Sequence, residues 1–78
     1  MIKYSKTLLW IQIMLSYNKL WKLLIDKKLK KSDLKEMTGI GSTTLTKLNN
    51  DEPVSMDVMI KICIALKCNI GDIMDVNI

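Results

Sequence analysis

The 78-residue chain has no histidine, arginine or phenylalanine, a single proline, two cysteines and three glycines. Without histidine the commonest general base is missing, and no Cys/His constellation can hold a metal. Asp51-Glu52 falls in a loop, and Asp72-x-x-Asp75 opens a helix, where the helix dipole already accounts for an acid. No catalytic residue, metal ligand or cofactor is therefore expected. Gly39-x-Gly41 lacks the rest of any phosphate-loop fingerprint and reads as a turn. Cys63 and Cys68 are spaced C-x4-C, which fits no common zinc or redox motif. Cys63 is expected as a small buried hydrophobe, with Cys68 closing the same core, both reduced as in the cytoplasm. With phenylalanine absent, the core must be built from Leu, Ile, Met and Val. Long apolar runs are missing too. Leu8-Leu9-Trp10-Ile11 and Ile13-Met14-Leu15 are interrupted by Gln12 and fall short of the roughly 18 residues of a membrane span. Lys3 and Lys6 precede that run, but no small-residue cleavage site follows before Lys19.

What is present describes one small folded domain. Apolar residues make up 49% of the chain, too many for disorder to be its main state, and 78 residues leave little room for a second core. The net charge of +4 is unevenly placed. Residues 1–50 carry ten lysines against Asp26, Asp33 and Glu36, a net of +7. Residues 51–78 carry Lys61 and Lys67 against Asp51, Glu52, Asp57, Asp72 and Asp75, a net of −3. A basic half and an acidic end suggest a polyanionic partner on one side only.

The stretch from Lys30 to Asn50 reads as two short helices about a tight turn. Leu34, Met37 and Thr38 are spaced i, i+3, i+4 and share one face of the first. Leu45 and Leu48 set the inner face of the second. Between them Gly39 permits the positive φ that ends a helix, Ile40 plugs the corner and Gly41 serves as an N-cap. Ser42, Thr43, Thr46 and Lys47 form an outer face that is polar and free of acids. This is a helix-turn-helix pattern.

The flanking segments are coarser. Residues 1–16 are an N-terminal extension: either a strand or helical turn packed on the domain, or, with Met14 as an alternative start, partly optional. Residues 17–78 are the domain proper. Its first helix, over 17–28, buries Leu20, Leu23 and Leu24, with Trp21 packing beside the stripe and Leu29 as a buried anchor in the connection that follows. After the turn-rich Asn49-Asn50-Asp51-Glu52-Pro53, Ser55 caps a helix over roughly 56–67 with Met59, Ile62, Cys63 and Leu66 inward. At about 100° per residue, Ile64 then points away from the core. Gly71-Asp72 opens a short last helix with Ile73 and Met74.

On "LKKSDLKEMTGIGSTTLTKL" and "VSMDVMIKICIALKCNIGDI" the chain resembles the phage-repressor and Cro type of helix-turn-helix domain, the XRE family, over about residues 17–75. The resemblance implies an all-α, compact five-helix repressor-like fold whose third helix lies in the DNA major groove. It places base reading on Ser42, Thr43, Thr46 and Lys47, and phosphate contacts on Lys30, Lys31 and Asn50. Many relatives pair an Arg in the first helix with a Glu at the end of the third. Here Leu24 and Asn49 stand in those places, so both partners are missing together and no buried charge is stranded. The absence of arginine also removes the commonest guanine contact, leaving Lys47 to make it.

The expected function is sequence-specific binding of double-stranded DNA by a small cytoplasmic transcriptional regulator, as a homodimer without a small-molecule substrate. Two other classes compete. One is a protein-binding or antitoxin-like module on the same fold, which an apolar or acidic outer face would favour. The other is a membrane-associated regulator using residues 8–15, which would sediment with lipid.

Overall fold

The computed structural model describes residues 14–76. Four α-helices lie among them: α1 (Asn18–Asp26), α2 (Lys31–Thr38), α3 (Ser42–Asn49) and α4 (Met56–Leu66). A two-residue strand, β1 (Leu15–Ser16), precedes them, and a 3-10 turn (Ile70–Asp72) leads to a second, β2 (Asp75–Val76). The strands are antiparallel, with Leu15 opposite Val76 and Ser16 opposite Asp75. Lys19 reinforces this closure: its ammonium lies 3.0 Å from an Asp75 carboxylate oxygen and donates to the Gly71 carbonyl at 3.2 Å. The expected readings of the apolar stretch Leu8–Ile13, and of residues 1–13 as optional, lie outside the described residues.

Among the described residues the core is aliphatic with one aromatic exception. Leu20 and Leu24 of α1, Leu34 of α2, Ile40 of the turn, Leu48 of α3, and Met59, Ile62 and Leu66 of α4 are buried together with Tyr17 and Ile73. α2 packs against α4, and the 3-10 turn packs against both α1 and α4. Ser55 caps α4 as expected, its hydroxyl accepting from the Val58 N–H at 3.3 Å. Cys63 and Cys68 are free and only half-buried, so they border the core rather than fill it. Burial, and then the adjacent Cys63, push the Cys68 thiol above its ordinary range.

Three further expectations change. Among the described residues there are four α-helices, and the fifth expected after α4 is a 3-10 turn. The segment after α4 is stopped at one 3-10 turn because Ile73 is fully buried and the chain must then run extended to reach β1. The all-α class accordingly becomes mostly helical with a two-stranded ribbon. Met37 does not share the inner face with Leu34: it is 48% exposed. On so short a helix the core is centred between Leu34 and Thr38, and Met37 lies about 100° from Thr38, beyond its edge.

Tyr17 was not singled out by the sequence pattern, yet it staples the fold. Its ring is buried, and its hydroxyl donates to the Glu52 carbonyl at 2.9 Å. Its backbone N–H donates to an Asp51 carboxylate oxygen at 3.0 Å. The start of α1 is thereby fastened to the loop that leaves α3.

Candidate nucleic-acid interface

α2, the turn and α3 are positioned by a few local devices. Asp33 accepts the Lys30 N–H at 2.7 Å, which caps the start of α2. Thr38 donates its hydroxyl to the Leu34 carbonyl at 2.7 Å. Gly39 takes φ 73° and sends its N–H to the Lys35 carbonyl, ending α2 in the left-handed conformation. Ile40 is buried in the corner, and Gly41 is the N-cap of α3 in extended conformation.

From there the helical period decides which side chains face out. Taking Ser42 as zero, Asn49, Thr46, Asn50, Thr43 and Lys47 fall between about −20° and 140° around the axis. All six are exposed. Leu48 is fully buried and Leu45 half-buried on the opposite side. The outward arc therefore holds hydroxyls, amides and one ammonium, and no carboxylate. Lys30 stands exposed at the N-cap of α2, and Asn50 caps the C-terminus of α3.

Two hydroxyls on this arc are already engaged. The Thr46 hydroxyl donates to the Ser42 carbonyl at 2.9 Å. The Ser42 hydroxyl oxygen accepts the Lys35 ammonium at 2.6 Å. Lys31 is held as well: its ammonium donates to Asn49 Oδ1 at 2.6 Å and sits 4.2 Å from the centre of the Trp21 ring. Trp21, Lys31 and Asn49 thus clamp α1, α2 and the end of α3 together, in the neighbourhood where relatives of this fold are expected to place an Arg–Glu pair. The first-helix place itself holds Leu24, which is buried.

Among the described residues no group of three or more His, Cys, Asp or Glu could hold a metal ion. None of their helices is long and apolar enough to cross a membrane. The pattern reading missed Lys35, Asn49 and Trp21 as members of this surface. For Lys35 a signal existed: it lies four residues after Lys31, on the same side of α2.

Comparison with known proteins agrees with this geometry. A family model described as a Cro/C1-type HTH DNA-binding domain matches residues 19–77. Among solved structures, the crystal structure of the transcriptional regulator VanUg is similar to this chain at 48% sequence identity and a TM-score of 0.78. That match covers 80% of this chain and 83% of the other. No curated protein matches the sequence.

Proposed function

The chain belongs to the Cro/C1-type family of helix-turn-helix DNA-binding domains, and from that premise we propose how its residues divide the work on DNA. It is a helix-turn-helix transcriptional regulator. α3 enters the major groove of double-stranded DNA, and Ser42, Thr43, Thr46 and Lys47 face the base edges. Lys30, Lys31 and Asn50 contact the phosphates that flank the groove. The observation that carries this reading is the exposed, acid-free arc of α3 with lysines of α2 beside it. Phosphate contacts set register and orientation without reading sequence, whereas hydroxyls and the Lys47 ammonium hydrogen-bond bases.

Serine and threonine each accept several bases, so one reading head discriminates weakly. Two heads on a palindrome multiply that discrimination, and a two-fold homodimer supplies them. Ile64 and Ile60, 71% and 52% exposed on α4, offer an apolar face for a second copy. The regulator works in the cytoplasm, where DNA is at hand and both thiols stay reduced.

Selection of bound duplexes from a random pool tests the reading, with an enriched palindrome as the expected result. On the selected site, Lys47→Ala is expected to relax preference at one base pair by roughly 1–3 kcal/mol. Lys31→Ala is expected to weaken all duplexes alike and to lower the salt slope by about one unit. Equal losses for both mutants on every sequence would remove Lys47 from base reading.

A further inference from the structure

Arginine, the commonest partner of guanine, is absent from the chain, and besides Lys47 the start of α3 carries a second lysine ammonium, that of Lys35, hydrogen-bonded to Ser42. We propose that Lys35 of α2 and Ser42 of α3 form a two-donor unit that selects guanine in the major groove. The inference rests on α3 being the groove helix.

The Ser42 hydroxyl oxygen accepts the Lys35 ammonium at 2.6 Å. Its own hydrogen must therefore point elsewhere. The ammonium keeps two further N–H groups, and Lys35 makes no ion pair among the described residues. Ser42 is exposed at the first position of α3, so the unit stands where a base edge arrives. Taken together the pair presents donors. Guanine shows two acceptors side by side in the major groove, N7 and O6, and no donor. Adenine sets a donor next to its N7, cytosine shows a donor, and thymine shows a single acceptor beside a methyl group. Donors therefore meet a complementary edge only at guanine, and meet an opposing donor at adenine and cytosine.

Thr46 lies one turn further along α3, about 6 Å along the axis. Its hydroxyl hydrogen is already given to the Ser42 carbonyl, which leaves an oxygen lone pair and a methyl group for the DNA. The two ends of the reading face thus differ in kind: donors at Ser42, an acceptor and a methyl at Thr46. Lys35 is in this account a base-reading residue and not a further phosphate contact.

The test uses duplexes selected by the full-length protein from a random pool. A guanine is expected at one position of the selected site, and replacing it with 7-deazaguanine, which lacks the N7 acceptor, is expected to weaken binding about tenfold. Lys35→Met and Ser42→Ala should each remove the preference at that same position and leave the others intact. The double mutant should lose little more than either single one. Lys35→Met that weakens every duplex equally, with the guanine preference retained, overturns the proposal. If Lys35→Met does not fold, Ser42→Ala at its exposed position decides: an unchanged guanine preference in that variant overturns the proposal as well. A wild-type protein that enriches no sequence at all overturns the groove-helix reading itself, and the guanine assignment falls with it. An enriched site insensitive to both variants sinks only the latter.

Discussion

At the scale of single residues, stability rests on apolar burial and on giving each buried polar atom a partner. Tyr17 is the clearest case, since burying its ring brings a phenol under cover, and the Glu52 carbonyl accepts that hydroxyl. Tyr17→Phe is expected to cost about 1 kcal/mol in urea melts at pH 7, the net value of one hydrogen bond. Burial, and then the Asp51 carboxylate, hold the phenol above its ordinary pKa near 10. The folded chain therefore keeps this proton more tightly than the unfolded chain does. The Tyr17 contribution is complete below about pH 10 and is lost as the pH climbs from there through the folded value. Melts between pH 8 and pH 11 should show a steeper alkaline decline in the wild type than in Tyr17→Phe. Leu24 tests the packing side of the same scale. It is buried where many relatives are expected to carry an arginine, so Leu24→Ala should cost about 2–5 kcal/mol by leaving a cavity. A loss below about 0.5 kcal/mol would show that the α1 register is wrong. The apolar stripe announced Leu24, because its neighbours repeat at helical spacing. Nothing local announced Tyr17, whose partners lie 34 and 35 residues away in the chain.

At the scale of elements, all four α-helices among the described residues end in the same way, on a residue in the left-handed region. These are Lys28, Gly39, Asp51 and Lys67, with φ of 59°, 73°, 56° and 53°. After α1, the Leu29 N–H reaches the Leu24 carbonyl and the Lys28 N–H reaches the Ile25 carbonyl. After α4, the Cys68 N–H reaches the Cys63 carbonyl and the Lys67 N–H reaches the Ile64 carbonyl. Both are Schellman motifs, and in each the first pair, Leu24 with Leu29 and Cys63 with Cys68, supplies the apolar contact that accompanies the turn. Only the stop after α2 uses glycine, so it alone was readable from composition. The others depend on packing beyond the helix, which makes a side chain tolerate a conformation that ordinarily costs about 1–2 kcal/mol. Lys28→Gly and Lys67→Gly should consequently each raise stability by roughly 0.5–1 kcal/mol, the relief of that strain less the added freedom of the unfolded chain. Thermal melts of the two single mutants and their combination would check this. Unchanged or lower melting temperatures would mean that the lysine side chains themselves stabilise these stops.

At the scale of the whole molecule, the question is how one small domain gains specificity. Exposed Ile64 and Ile60 lie on a helix whose opposite side, Met59, Ile62 and Leu66, is already committed to the core. Light scattering at tens of micromolar, roughly where a weak dimer should appear, is expected to give twice the chain mass for the wild type and the single-chain mass for Ile64→Lys. A wild-type monomer under those conditions would end the dimer proposal. What the sequence by itself determined is what local spacing can carry. The period of apolar residues drew α1, α3 and α4, the Gly39-Ile40-Gly41 corner drew the turn, and the lack of acids on α3 marked the outward arc. These features rest on contacts within a few residues, so they survive without knowledge of the rest of the chain. What only the tertiary structure decided is everything that requires distant segments to meet. Ile73 had to be pulled into the core before the expected fifth helix could give way to a 3-10 turn and the β1–β2 pairing. Asn49 had to come beside Lys31 and Trp21, and Lys35 beside Ser42, before their polar atoms acquired partners. A hydrogen bond is formed by atoms within about 3 Å of each other, and that proximity is set by how helices pack, which the period of a single helix does not contain.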